Sequence, residues 1–234
     1  MTAVVIDVED PQTLELWTAV GELVDRLPGD WVLIGGLMVQ LLAFEHGIGN
    51  LRVTTDIDVL GEARPQGALM AISQALLADG FEAENPDPDG YVYRYLRDGL
   101  VVDVLAPDGM KPPAKLGGLK AIGVPGGTQA LRRAEMVTVT VGDSVFSLRR
   151  PSLLGAILIK ARSLQKHADP ESQREDLLRL LAMIEDPRET ATDLRSSERG
   201  WLREAEGRLD FEAPSSLDGA MVDRAHQAYR ILIG

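Results

Sequence analysis

The chain has 234 residues, a formal net charge of −12 and no cysteine. Its composition, 45% hydrophobic and 26% charged, is that of a globular protein long enough to bury one large or two small cores. The lack of cysteine excludes disulfides and thiolate metal sites. The acidic balance argues against avid, non-specific binding of nucleic acid, which depends on a basic domain.

Export and membrane insertion are not expected. The N-terminal segment MTAVVIDVEDPQ lacks the basic and apolar regions of a signal peptide. The longest apolar segments are interrupted by Gln40, Glu45 or Lys160, so none approaches the roughly 20 residues of a membrane span. We therefore expect a cytoplasmic protein without membrane contacts.

The first 150 residues mix helical and strand patterns. Asp10-Pro11 is typical of a helix start, and Pro28-Gly29 ends that helix. Further helices are predicted at 36–44 and 64–77, and strands at 31–34, 56–60, 81–84, 91–97, 100–105, 137–141 and 144–148. Hairpin turns are predicted at Asp98-Gly99 and Gly142-Asp143, each between two neighbouring strands. The glycine- and proline-rich segment 109–133 is predicted to be a loop over one edge of the sheet.

From Pro151 onward the periodic segments are helical. Helices are predicted to start at Pro151-Ser152 and after Asp169-Pro170, and two more amphipathic helices are predicted at 197–209 and 217–232. The predicted fold class is therefore α+β. It consists of a mixed β-sheet domain with flanking helices over residues 1–150, followed by a C-terminal helical domain over residues 151–234.

Residues 31–60 contain two features that indicate chemistry. Asp56 and Asp58 are two residues apart, so on an extended strand they project from one face and can hold a divalent metal. Gly35 and Gly36 precede a helix whose first backbone N–H groups have no intrahelical partner, which suits a phosphate group. The structural alternative is that Asp58 caps a turn and Asp56 pairs with Arg52.

A third carboxylate, Asp103, lies within the aliphatic segment LVVDVLAP. An ionised carboxylate among such neighbours is costly unless a cation or hydrogen-bond donors compensate it. If antiparallel pairing places this strand beside the strand of Asp56 and Asp58, three carboxylates converge on one metal site. Carboxylate oxygens suit hard cations, so the expected cofactor is Mg²⁺ or Mn²⁺.

Two further segments carry charges of interest. Lys160 falls within an apolar helical stripe, so it either extends past the core to solvent or has an anionic partner, and Asp176 lies beside the apolar face of the next helix. The segment 109–133 has no acidic residue, and its basic residues are Lys111, Lys115, Lys120, Arg132 and Arg133. This segment is either a solvated loop or a surface for RNA phosphates.

The order of these motifs resembles the nucleotidyltransferase superfamily typified by DNA polymerase beta. Gly35-Gly36 opens a helix and is followed about twenty residues later by Arg-x-Thr-x-Asp-Ile-Asp. Val102-Asp103-Val104-Leu105, Lys160 and Arg174-Glu175-Asp176-Leu177 resemble the AbiEii or MenT branch, the nucleotidyltransferase toxins of bacterial toxin–antitoxin systems. The resemblance covers most of residues 30–185 and implies that the sheet domain is a nucleotidyltransferase domain.

The resemblance implies a role for each candidate residue. The metal ligands and catalytic carboxylates would be Asp56, Asp58 and Asp103, with Asp103 also aiding deprotonation of the acceptor hydroxyl. The nucleotide would be bound by Gly35, Gly36, Arg52, Thr54 and Lys160. Lys160 and Asp176 would complete the catalytic site from the helical half.

The resemblance also implies the reaction and its partners. The family transfers a nucleotide, often a pyrimidine, from an NTP to the 3′ end of tRNA. The implied partners are therefore an NTP, tRNA or another RNA contacted through the basic residues of 109–133, and a cognate antitoxin.

Two other functions stay open. A nucleotidyltransferase acting on a small-molecule hydroxyl, such as that of a cationic antibiotic, would suit the acidic balance. A non-catalytic nucleotide- or partner-binding module would share the fold but would have no need of three costly carboxylates. Thr54 and Thr55 are expected to form local strand hydrogen bonds. Their phosphorylation is the alternative, and it would add about two negative charges beside the metal ligands.

Overall fold

The computed structural model describes residues 3–29, 31–49, 52–62, 68–110, 114–116, 118–165, 171–212, 214 and 217–234. The strands are β1 (Ala3–Ile6), β2 (Val32–Ile34), β3 (Ile57–Leu60), β4 (Glu82–Ala83), β5 (Arg94–Arg97), β6 (Leu100–Pro107), β7 (Lys115–Leu116), β8 (Leu119–Lys120), β9 (Gly123–Val124), β10 (Ala134–Val141) and β11 (Ser144–Pro151). The helices are α1 (Pro11–Arg26), α2 (Gly35–Glu45), α3 (Ala68–Ala78), α4 (Gly127–Arg132), α5 (Leu153–Leu164), α6 (Glu171–Ala182), α7 (Pro187–Thr192), α8 (Ser196–Ala205) and α9 (Gly219–Ile233). The predicted α+β class is confirmed.

The main sheet has the strand order β2-β3-β6-β5-β4, and β9 also pairs with β6. The predicted hairpin at Asp98-Gly99 is confirmed, because these two residues adopt positive φ angles of 50° and 87° between β5 and β6. The antiparallel pairing expected for the two aspartate strands is wrong, since β3 and β6 are parallel. The long connection through α3, β4 and β5 returns the chain to the same end of the sheet, as parallel pairing requires.

A second sheet has the order β1-β10-β11. Its β10–β11 hairpin was predicted and is confirmed, with Gly142 at φ +54° in the turn. β1 pairs with β10 in parallel and was not predicted. Only Val4 and Ile6 of its four residues are buried, a pattern too short to stand out in the sequence.

The prediction of a loop at 109–133 is wrong for much of the segment. The short antiparallel pair β7–β8, the strand β9 and the helix α4 all lie within it. Elements of two to six residues carry too few positions for a hydrophobic period to show. The N-cap of α4 is Gly126, which has a φ of +84°.

The two faces of the main sheet have different coverings. Ile57, Val59, Val102 and Val104 belong to a core that contains buried residues of α1 and α3. Side chains of the opposite face, including Ile34 and Leu60, join a second core made largely of α2, α5, α6, α8 and α9. Asp58 alternates with Ile57 and Val59 along β3, and Asp103 alternates with Val102 and Val104 along β6. Both aspartates therefore lie on the face of the sheet that the C-terminal helices cover.

The C-terminal helices agree with the sequence pattern in most places. α5 starts after Ser152, whose hydroxyl accepts a hydrogen bond from the Gly155 N–H. α8 and α9 correspond to the predicted helices at 197–209 and 217–232, whereas the six-residue α7 was not predicted. The start predicted at Asp169-Pro170 and the start of the 64–77 helix lie outside the described residues. Among the helices in the described part of the chain, none is long and apolar enough to cross a membrane.

A buried hydrogen-bond relay links the N-terminal helix to the segment before β3. The Trp17 indole Nε1 donates to Gln40 Oε1 at 3.2 Å, and Gln40 Nε2 donates to the Arg52 carbonyl at 3.0 Å. Both side chains are buried, so the relay satisfies polar groups that would otherwise be costly. It fixes the backbone that carries Arg52 towards Thr54 and Asp56.

Candidate active site

The three predicted carboxylates meet on one row of the main sheet. Asp58 of β3 lies directly opposite Asp103 of β6, and Asp56 precedes Asp58 by two residues on the same face. Each of the three offers an oxygen within 4.8 Å of an oxygen of both others. The parallel register therefore produces the convergence that was expected from antiparallel pairing.

This concentration of negative charge changes the protonation behaviour of two of the carboxyl groups. Desolvation within the site, followed by the charges of Asp56 and Asp103, raises the pKa of Asp58 to about 7. Burial also raises the pKa of Asp103, although Arg94 opposes this shift. A cation at this position would favour the ionised forms of both groups.

Arg94 of β5 completes the row and was missed by the sequence reasoning. It is the register partner of Asp103, and its Nε and Nη2 donate to the two Asp103 oxygens at 2.9 and 2.8 Å. Nη2 also lies 3.9 Å from an Asp56 oxygen. The bond to Asp103 is the main cause of an upward shift in the pKa of Arg94. The signal was present as Arg94 in the alternating strand YVYRY, but its partner depends on strand order.

Gly35 and Gly36 form a close-fitting turn beside the carboxylates. Gly35 has φ +71°, and a Cβ atom there would lie 1.7 Å from Asp58 Oδ2. A Cβ on Gly36 would lie 2.6 Å from Thr54 Oγ1 and 3.2 Å from Arg52 Nη2. α2 begins at this point, so its first N–H groups face the same region as the carboxylates. Glycine is required here for space as well as for backbone conformation.

Lys160 of α5 is buried and has an anionic partner. Its Nζ lies 2.8 Å from Asp176 Oδ2 and 3.2 Å from Gln173 Oε1, and the residue is 4% exposed. Asp176 also accepts two bonds of 3.4 Å from Arg52. The alternative in which Lys160 extends to solvent is therefore wrong, and so is the pairing of Arg52 with Asp56.

Asp176 is set apart from the other candidates. It is 1% exposed and contacts the site through Lys160 and Arg52. Its side chain pairs with these two cations and does not line the cleft over the carboxylates. Thr54 is also buried, and its hydroxyl donates to Asp56 Oδ1 at 3.0 Å, which is the local hydrogen bond expected for it.

A cleft of about 490 Å³ lies over the carboxylate row. Its volume is in the range of small-molecule and cofactor sites. Residues from the sheet, the α2 turn, β9, α5 and α6 line it, and among the predicted site residues these are Gly35, Gly36, Arg52, Thr54, Asp56, Asp58, Asp103 and Lys160. Both halves of the chain thus contribute walls to one cavity.

Among the described basic residues of 109–133, three are exposed and one is paired within the fold. Lys115 and Lys120 are exposed and lie directly opposite each other on β7–β8, and Arg132 is exposed at the end of α4. Arg133 instead bonds to the fully buried Glu198 at 3.0 Å and to the Asp193 carbonyl. Lys111 lies outside the described residues. Arg133 therefore connects the end of α4 to α8.

The donor set fits a hard divalent cation. Three carboxylates within reach of one another supply oxygen ligands, which Mg²⁺ and Mn²⁺ prefer over the nitrogen and sulfur donors of softer metals. The Asp58 carboxylate packs directly against Gly35, where an added Cβ would lie 1.7 Å from Asp58 Oδ2, so the backbone of the turn borders the carboxylate without an intervening side chain. The site can therefore accommodate a cation together with an anionic ligand at the α2 N-terminus.

Substitution of Gly35 can distinguish a steric clash with Asp58 from the backbone strain of a positive φ angle. We expect Gly35→Ala to abolish measurable Mn²⁺ binding, because its methyl group would displace the Asp58 carboxylate. Gly29→Ala is the matched control, since Gly29 has φ +80° and no atom within 4 Å of the added Cβ. Both variants should lose about 1–2 kcal/mol of stability from the positive φ. Calorimetry should find wild-type binding only in Gly29→Ala, and equal binding by both variants would contradict the steric argument.

The Lys160–Asp176 pair can be tested with a double-mutant cycle. Asp176→Leu alone should lower the free energy of unfolding by about 3–5 kcal/mol, because it leaves a buried lysine without its carboxylate. Lys160→Met combined with Asp176→Leu should recover most of that loss. Urea unfolding of the single and double variants measures both effects. A double variant as unstable as the sum of the singles would show that the two residues are not coupled.

The similarity of this chain to known proteins is one of fold. No protein-family model matches the sequence, and no curated protein does. Among solved structures, the chain is similar to the crystal structure of an antigenic nucleotidyltransferase-like protein from Paracoccidioides brasiliensis. The two share 14% sequence identity with a TM-score of 0.53, over 91% of this chain and 93% of that chain. The chain therefore has a nucleotidyltransferase-like fold.

Proposed function

We propose that this protein is a Mg²⁺- or Mn²⁺-dependent nucleotidyltransferase that transfers a nucleotide from an NTP to a hydroxyl group. One observation carries the proposal. Asp56, Asp58 and Asp103 face the same cleft as the Gly35-Gly36 turn and Lys160. A carboxylate cluster for metal and a helix N-terminus for phosphate are the parts that metal-assisted phosphoryl chemistry requires.

Each part of the cleft has a role in this proposal. A divalent ion held by the three carboxylates would lower the pKa of the acceptor hydroxyl and neutralise charge on the pyrophosphate leaving group. The α2 N-terminus and the tight Gly35-Gly36 turn would hold phosphate oxygens, because no side chain intervenes there. Lys160 and Arg52 would supply positive charge to the triphosphate, and Asp176 would keep both cations in place.

The proposed acceptor is the 3′ end of an RNA, tRNA in the first instance. Lys115 and Lys120 support it, because they are exposed, directly opposed on β7–β8, and close in sequence to the cleft residues Ile122 and Gly123. Like charges placed opposite each other on a strand pair are unfavourable, and a bound phosphate would offset their repulsion. Lys120 also donates to the Asp89 carbonyl, so its ammonium group is held on this surface.

The resemblance to the AbiEii or MenT toxins extends the proposal to a biological setting. We propose that RNA modification makes the protein toxic and that a cognate antitoxin restrains it. A division at residue 150 is part of the same proposal, with the sheet half holding the metal and the helical half supplying Lys160. The sequence motifs support this assignment, together with the placement of Lys160 over the carboxylate face.

The central experiment measures transfer of label from nucleotides to acceptors. Each α-³²P-labelled NTP is incubated with Mg²⁺, total tRNA and the protein, and we expect label on the RNA 3′ end. Asp56→Ala should lower the rate on the order of 100-fold or more, because the metal loses a ligand. Asp143→Asn, an exposed carboxylate in the β10–β11 turn, is the control and should retain the wild-type rate.

The same assay separates the alternatives. Failure with all four NTPs, or equal transfer by Asp56→Ala, would contradict the enzyme proposal. Label on an aminoglycoside but not on tRNA would show that the acceptor is a small molecule.

The RNA surface can be tested by reversing its charge. We expect Lys115→Glu combined with Lys120→Glu to lower transfer to tRNA about tenfold, because phosphate contacts are lost. Binding of Mg²⁺–NTP, measured by calorimetry, should be unchanged, since neither residue lines the cleft. Arg188→Glu combined with Arg224→Glu, at exposed positions of α7 and α9, is the control with the same change of net charge. An equal loss of transfer in the two double variants would mean that net charge alone affects RNA binding.

A further inference from the structure

Arg94 holds a position in the carboxylate cluster that the proposed reaction does not use. Its guanidinium forms two parallel hydrogen bonds with the oxygens of Asp103 and reaches to 3.9 Å from Asp56. The other cleft cations in the described residues, Lys160 and Arg52, both contact Asp176. Within that part of the chain, Arg94 is thus the cation in direct contact with the carboxylate cluster.

The fixed charge of arginine means that this contact affects how a metal ion can bind to the cluster. A guanidinium does not lose its proton in proteins, so its charge leaves a site only when the side chain moves. A divalent ion bound by Asp56, Asp58 and Asp103 would lie beside that charge and be repelled by it. The ion and the guanidinium also use the same acceptor oxygens of Asp103.

Arg94 has room to move away from Asp103. Its side chain is 33% exposed and lines the cleft, in contrast to the almost fully buried Lys160. The centroid of the Tyr93 ring, which also lines the cleft, lies 5.6 Å from the Arg94 guanidinium carbon, so an aromatic face that can stabilise the cation is already beside it. The strand fixes the backbone of Arg94, and the open cleft beside the guanidinium gives it space to turn into once its bonds to Asp103 are broken.

We propose that Arg94 is the resident counter-cation of the carboxylate cluster and competes with the divalent ion for Asp103. It compensates the buried Asp103 charge before the metal binds and is displaced towards the cleft when the metal binds. Arg94 thereby lowers the affinity of the site for metal. The inference rests on the proposed function in one respect, the choice of Mg²⁺ and Mn²⁺ as the ions.

The first test measures metal affinity without nucleotide or acceptor. The full chain is titrated with Mn²⁺ alone, and free Mn²⁺ is followed by electron paramagnetic resonance. Arg94→Gln should bind Mn²⁺ about tenfold more tightly than the wild type, the typical effect of removing a charged hydrogen-bond partner. Arg94→Lys keeps the charge but not the paired hydrogen bonds, so its affinity should lie between the two.

Arg97→Gln is the matched control. Arg97 lies on the same strand, but three residues from Arg94 and therefore on the opposite face, where it pairs with Asp79. Removing its charge should leave the Mn²⁺ affinity unchanged. An equal increase in Arg97→Gln would show that net charge, and not competition for Asp103, sets the affinity, and would overturn the proposal.

A second measurement uses the unaltered protein, so it does not depend on a variant that folds. The Nε–H resonance of Arg94 is followed by ¹⁵N NMR as Mg²⁺ is added. We expect this resonance to shift and to lose its protection from solvent exchange, because its bond to Asp103 is broken. An unchanged resonance at saturating Mg²⁺ would overturn the proposal.

The outcomes of these tests are distinct from those of the transfer assay. Unchanged or weaker Mn²⁺ binding by Arg94→Gln would mean that Arg94 orients Asp103 as a ligand, and it would refute competition. If Arg94→Gln binds Mn²⁺ more tightly while no NTP is transferred, the competition is established and the transferase proposal alone fails.

Discussion

The register between β3 and β6 is the constraint on which the site depends. Parallel pairing of Ile57–Leu60 with 102–105 places Asp58 directly opposite Asp103. A shift of one residue would turn Asp103 to the other face, among the aliphatic side chains packed beneath α1 and α3. The apolar residues that alternate with the carboxylates therefore hold the register as well as the core. Burial of Ile57, Val59, Val102 and Val104 makes the alternative registers costly.

The negative charge of three carboxylates so close together requires compensation by cations, and the fold supplies these cations from two directions. Within the sheet, Arg94 lies directly opposite Asp103 on the neighbouring strand β5 and pairs with it. From the helical half, Lys160 lowers the pKa of Asp58 that burial and the neighbouring acids raise. Lys160 in turn is held by Asp176, which also contacts Arg52. The arrangement is a chain of alternating charges that runs from the sheet to α6, and each member is stabilised by its neighbours.

The parts of this site that lie within short sequence motifs could be predicted from the sequence. The spacing of Asp56 and Asp58, the Gly35-Gly36 turn and the lone Asp103 each leave a local mark, and Lys160 stands out in an apolar helix. Arg94 could not be predicted, because its role follows from being beside β6 in strand order. Parallel pairing of β3 and β6 depends on the path of the intervening chain. Arg133 looked like part of a basic surface because its partner, Glu198, is 65 residues away in the sequence.

The same physical reasoning explains why the two halves of the chain form one cleft. Ion pairs between a partly exposed arginine and a buried carboxylate connect them: Arg52 with Asp176 and Arg133 with Glu198. Such pairs add little net stability, because desolvation of the charges offsets much of their attraction. Their cost when broken is large, so they penalise any packing of the helices that separates the partners. Apolar contacts between α2, α5 and α6 hold the halves together, while the ion pairs disfavour arrangements that separate Arg52 from Asp176 or Arg133 from Glu198. Charges that contribute little to the stability of the cleft thus restrict its geometry.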